Sequence, residues 1–272
     1  MNKGLVPYVA TSEYLLPSFN LDIFCGYEVV KLMEDPSLRD FHEAYLVSNS
    51  LAFGNPNLKM PNWVYIDCGL MQTAIIGFAV PVDKAPDSLI EHYERDPYVD
   101  VDKLDYIPVS GQIASLGMDG KTLIGFSLFS LRRQLGNMAV SKLAARTKYA
   151  ALHAYRAEEK ESFLGISQYN NNALKIHALF GEKMYIDRTM VPLHPLHDMS
   201  FTYRMKVKLD PERVFNEEAQ ENARYSFLLK ADDRAKKENI QKQIGEGKKF
   251  HILSPVHVKQ EDGLYLPIAI EG

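Results

Sequence analysis

Residues able to do chemistry are thinly scattered along this chain, and each cluster points to a different reaction. Leu116-Gly-Met-Asp-Gly-Lys-Thr122 sets glycines beside Lys121 and Thr122, and Gly125 follows closely. A turn of that kind before a helix can cradle a phosphate through backbone amides, an ammonium and a hydroxyl. Punctuation between a strand and a helix is the plainer use of the same residues. His194-Pro-Leu-His197-Asp198 has metal-ligand spacing, but Pro195 opposes a helix there and two histidines want a third ligand. No metal is expected. Arg132-Arg133 with Lys142, Arg146 and Lys148 could grip phosphate or an acidic partner; a solvated helix face, with Lys142, Arg146 and Lys148 pointing outward, is the expected reading. Cys25 and Cys68 show no local sign of thiolate activation and are expected as unpaired buried thiols in a reducing compartment, one disulfide between them being the alternative.

The elements that must position these groups follow from pattern. Residues 1–21 carry Pro7 and Pro17 without a clear period, and read as an arm lying on the body. Residues 22–33 read as a strand. Asp35-Pro36 then supplies an N-cap acceptor and a first-turn proline. Leu38, Phe41, Tyr45, Leu46 and Ala52 recur at helical spacing, which predicts a helix over 36–53. Residues 63–67 and 73–82 are β-rich runs predicting a hairpin, 83–104 a surface excursion, and 106–115 the next strand. Leu123 to Leu135 is apolar and is expected as a helix. A second helix is expected from near Met138, then a strand at 163–167, a helix at 170–180 closed by Gly181, and strands at 184–193 and 199–209. Asp210-Pro211 predicts a long polar helix over 211–244, and 250–258 with 264–270 a hairpin turning at Glu261-Asp262-Gly263.

Composition bounds the answer. The 272 residues are 46% hydrophobic and 24% charged, the balance of a globular chain with a real core. Thirty-one basic and 35 acidic residues leave a net charge of −4, against a nucleic-acid-binding role. The first residues lack the apolar run of a signal peptide. The longest apolar stretch, Thr73 to Val82, falls short of the roughly 20 residues a bilayer span needs. A cytoplasmic protein, or one assembled from the cytoplasm, is expected.

The order of elements from 22 to 209 resembles the GNAT superfamily of N-acyltransferases, an α+β fold whose mixed sheet splits to admit the pantetheine arm of acyl-coenzyme A. Ile75-Ile-Gly-Phe-Ala-Val80 is similar to a strand of that fold with a central glycine. Asn170, Ala173, His177 and Gly181 match the family's Asn-x-x-Ala-x-x-x-Tyr-x-x-x-Gly, with histidine where tyrosine stands. The resemblance implies that Asn170 caps its helix and faces the cofactor, and that His177 protonates the departing thiolate. Imidazole, with an ordinary pKa of about 6.5, is suited to that role. A helix-face histidine packed on the sheet is the plainer alternative. The family's Gln/Arg-x-x-Gly-x-Gly/Ala pyrophosphate loop is degraded if Gly125 is its last glycine, since Leu123 and Gly120 then replace its other positions. Gly120, Lys121, Thr122 and Gly125 are the implied cofactor contacts. No acid lies in 106–115, where several relatives keep a base, and Asp67 is the substitute, an ordinary turn carboxylate being its plainer reading.

Two function classes follow. One is an enzyme moving an acyl group from acyl-coenzyme A, acetyl-coenzyme A or an acyl-carrier protein to a small-molecule or protein amine. The other is a non-catalytic GNAT-like assembly module, such as a phage virion component. Its protein partner or second copy would dock on residues 210–272, which look too poor in apolar residues to bury themselves. The implied organisation is an arm (1–21), a GNAT-like domain (22–209) and a helical and β-hairpin extension (210–272).

Overall fold

A computed structural model describes residues 4–24, 30–31, 38–54, 73–191, 197–216 and 224–271. The fold is α+β, with mainly antiparallel strands. The chain divides into two compact units, 1–116 with 126–156 and 117–125 with 157–272. Among the described residues no helix is long and apolar enough to cross a membrane.

In the first unit, β1 (Val6–Ala10) and β2 (Val30–Lys31) precede helix α1 (Leu38–Phe53). Then come β3 (Thr73–Pro81), α2 (Asp87–Glu94), β4 (Tyr106–Leu116), the second half of β5 (Thr122–Ser130) and α3 (Leu143–Ala154). The strands lie in the order β2, β1, β3, β4, β5. Val6–Ala10 is therefore a paired and largely buried strand, not the surface part of an arm. Tyr8 is the reason. Its ring crosses Gly77 and Gly111, where an added Cβ would sit 2.7 and 2.9 Å from its hydroxyl, and Phe41 of α1 meets it edge-on at 5.0 Å. Burying a ring of this size is worth roughly 1.5–3 kcal/mol. Adjacent residues of β4 face opposite ways: Gly111 faces Tyr45 of α1, whereas Ser110 lies 2.7 Å from Thr147 Oγ1 of α3. The two helices thus cover opposite faces. The excursion after β3 is less superficial than its composition predicts, because α2 buries Leu89 and Tyr93 completely.

The helix expected over 123–135 is replaced by β5 and a 3-10 segment, Arg132–Met138. Leu123, Gly125, Phe129 and Leu131 are buried at alternating positions, a period of two that a strand satisfies and a helix does not.

In the second unit the first half of β5 pairs in parallel with β6 (Ser162–Gln168), Thr122 with Ser162 through Gly125 with Gly165. β8 (Ser200–Met205), β7 (Met184–Arg188) and β10 (Lys249–Ile252) follow in antiparallel order. β12 (Gly263–Glu271) takes β10, β11 (Val258–Gln260) and β9 (Phe227–Lys230) as partners. Helices α4 (Ala173–His177), α5 (Pro211–Phe215) and α6 (Arg234–Gly245) complete it. The hairpin at Glu261-Asp262 turns where expected. The long helix over 211–244 does not form as one piece: α5 ends at Phe215, and β9 intervenes before α6. Nor is this segment short of burial. Val214, Leu229, Ile240, Phe250, Leu266 and Ile268 are all at most 1% exposed, and β10 extends the sheet beside β7.

Of the remaining sequence expectations, 25–29 and 32–33 of the first strand, the hairpin strand 63–67, and the start of the 36–53 helix lie outside the described residues.

Candidate functional site

The turn before β5 fails the test of a phosphate cradle. It leads into a strand, so no helix N-terminus stands behind Gly120, Lys121, Thr122 and Gly125. Its amides are already taken: Asp119 accepts from Lys121 N at 2.9 Å and Thr122 N at 2.8 Å, and from Thr122 Oγ1 at 2.7 Å. Those bonds hold the Asp119 carboxyl down at about 2, so it keeps a negative charge where an anion would have to sit. Lys121 is paired with Glu161 at 2.7 Å.

A strand-to-helix loop follows β5 in the first unit, and the sequence reading missed it. Arg133-Gln-Leu-Gly136-Asn-Met138 keeps the arginine and middle glycine of Gln/Arg-x-x-Gly-x-Gly/Ala, with Met138 in place of the last small residue. It precedes the twelve-residue helix α3. Gly136 has φ 49° and ψ −122°, a conformation strained for any residue with a side chain, and a Cβ there would meet nothing within 4 Å. The glycine serves backbone shape and leaves open space beside the chain. Arg132, Arg133 and Lys142 are exposed, and Arg146 Nε donates to Ser141 O at 3.1 Å. Leu131 and Leu135, both fully buried, anchor the loop, and Leu131 N donates to Val109 O at 2.7 Å. Lys148 departs from the outward face expected for it. It is 0% exposed, and desolvation pushes its ammonium well below the ordinary lysine range.

The first unit also holds a kink in β5. Ser127 lies in the left-handed region at φ 54°, uncommon for a serine inside a strand. Asn49 of α1 donates from Nδ2 to Ser127 Oγ at 2.7 Å, and Gln112 of β4 donates from Nε2 to Phe126 O at 2.8 Å. Asn49 is 0% exposed, and its Oδ1 has no hydrogen-bond partner. Nothing in the sequence flags the pair; only the fold brings them together. On the same helix, burial pushes the His42 imidazole down to about 4, so it is uncharged at neutral pH.

In the second unit the Asn170–Gly181 stretch forms α4 and a closing 3-10 turn, Ala178–Phe180. The helix-start contact belongs to Asn171, whose Oδ1 accepts from Ala173 N at 2.9 Å, and not to Asn170, which is exposed. His177 is buried, its ring stacked on Tyr203 at 5.4 Å and 28°. That is the packed helix-face arrangement. Asp67, Cys25, Cys68 and His194 lie outside the described residues. Among the described residues no group of three or more histidine, cysteine or acidic side chains is placed to hold a metal ion.

No protein-family model and no curated protein matches the chain.

Proposed function

We propose that the chain is a GNAT-like N-acyltransferase, whose acyl-coenzyme A pyrophosphate is held by Arg133, the Gly136 backbone and the start of α3. The observation that carries this reading is the loop Arg132–Lys142. It joins a strand to a helix, keeps an arginine and a positive-φ glycine at the family's spacing, and collects exposed cations beside open space. Helix N-termini attract anions because their first amides are unpaired and the peptide dipoles align. Asn170 to Gly181 adds the short motif in the second unit.

In this reading the amine lone pair attacks the thioester carbonyl carbon, the carbon–sulfur bond breaks, and its electron pair leaves on sulfur. One proton leaves the amine nitrogen and one reaches the thiolate. His177, which the motif offers as the donor to sulfur, is packed on Tyr203 in the second unit, and the donor is not assigned. The base is not assigned, since Asp67 lies outside the described residues. The alternative, an assembly module docking through residues 210–272, has less support: Val214, Leu229, Ile240, Phe250, Leu266 and Ile268 are buried within the second unit, while Tyr225, Leu264 and Ile270 stay exposed.

The test is amine-dependent release of thiol from acetyl-coenzyme A and octanoyl-coenzyme A. The amines are a primary alkylamine, an aromatic amine and a lysine-containing peptide. Release above the hydrolytic background with at least one amine is expected; none with either donor contradicts the proposal.

A further inference from the structure

Acyl transfer passes through a tetrahedral oxyanion, and a directed hydrogen-bond donor at that oxygen is commonly the largest electrostatic aid to such a step. Resting on the acyltransferase reading above, we infer that Ser127 Oγ–H donates to the thioester carbonyl oxygen and that Asn49 is the positioning residue that aims it.

Three observations converge on the pair. Ser127 holds a left-handed backbone at φ 54° in the middle of β5, where an unstrained strand residue would serve a purely structural purpose better. The strain is held from two elements, by Gln112 Nε2 on the Phe126 carbonyl and by Asn49 Nδ2 on Ser127 Oγ. An over-determined outlier of this kind is what a functional constraint leaves behind.

Asn49 supplies the second observation. It is fully buried in α1, yet only its nitrogen end is used, and Oδ1 stays without a donor. A buried amide present for stability alone would satisfy both ends. The contact it does make has a directional consequence. A serine hydroxyl has one hydrogen and two lone pairs. With a lone pair engaged by Asn49 Nδ2, the hydrogen must point elsewhere, and Ser127 is partly exposed. Accepting from Asn49 thereby leaves the Ser127 hydrogen to donate to a ligand.

The third is position along the chain. Ser127 follows the end of the β5–β6 ladder at Gly125 by two residues and precedes the Arg132–Lys142 loop by five. When the amine attacks, the carbonyl π pair moves onto oxygen and the Ser127 hydrogen bond strengthens without proton transfer. The pair returns as the carbon–sulfur bond breaks.

The experiment compares wild type, Ser127→Gly, Asn49→Leu and the double variant in thiol-release kinetics with acetyl-coenzyme A, alongside thermal unfolding and acetyl-coenzyme A titration. Glycine relaxes the positive φ but leaves the buried Asn49 Nδ2 without its acceptor, two opposing effects, so Ser127→Gly should stay folded with a cooperative unfolding transition a few degrees from wild type. Its kcat should nonetheless fall about 10- to 100-fold, with the acetyl-coenzyme A Kd within about twofold. Asn49→Leu keeps side-chain volume and removes the unpaired oxygen; it should lose kcat to a similar degree, and the double variant should be no worse than Ser127→Gly. A folded Ser127→Gly that turns over within twofold of wild type overturns the inference and leaves the acyltransferase reading standing. Wild type that releases no thiol with any amine overturns both.

Discussion

Burial sets the charge of His42, and through it the acid stability of the first unit. Its pKa falls from about 6.5 unfolded to about 4 folded, because desolvation disfavours the imidazolium. The folded state therefore binds the proton less readily than the unfolded chain. His42's contribution is full above about pH 6.5 and is lost as pH falls through about 4. A shift of this size corresponds to roughly 3 kcal/mol at most. Chemical denaturation between pH 7 and 4 should show stability falling with acidity in wild type and a flatter profile in His42→Phe; parallel profiles would contradict this. Gly136→Ala should cost about 1–2 kcal/mol through backbone strain alone, read by urea unfolding.

At the scale of elements, the strand state of 122–130 decides where the proposed loop lies. Leu123 to Leu135 is apolar enough to read as a helix, and that reading put the phosphate loop in front of it, at Gly120–Gly125. The alternation of Leu123, Gly125, Phe129 and Leu131 was legible, but Phe126 and Leu128 on the other face obscured it. Once 122–130 is a strand, the next helix is α3 and the loop before it carries Arg133 and Gly136, in plain view in the sequence. β4, the core of α1 and the turn at Glu261-Asp262 were readable because β-branched runs, helical spacing and turn residues agree there. The Ser127–Asn49 contact was not, since its members lie 78 positions apart and neither belongs to a local pattern. Asp119 locks the hairpin turn through three hydrogen bonds. Asp119→Ala should raise amide exchange at Lys121 and Thr122 at least tenfold without moving exchange in α3; unchanged protection would show that the turn does not depend on the carboxylate.

For the molecule as a whole, the segment after Leu209 completes the second unit. Lys237 is 1% exposed and donates to Asp198 O at 2.5 Å and Ala231 O at 2.7 Å; Thr189 Oγ1 donates to Lys237 O at 2.9 Å. Polar residues obscured this in the sequence, because α6 uses the stem and ammonium of a lysine where an apolar side chain would be expected. A chain ending at Leu209 would leave β7 without β10 and should lose cooperative unfolding by circular dichroism; a folded, monomeric product would contradict the account. The central claim, that the loop before α3 binds the anionic end of acyl-coenzyme A, is tested most directly by calorimetric titration of acetyl-coenzyme A into wild type and Arg133→Ala. One site per chain is predicted, with the variant weaker by about tenfold or more, the worth of one charge-assisted hydrogen bond. No heat of binding in wild type, or equal affinity in both, would contradict it.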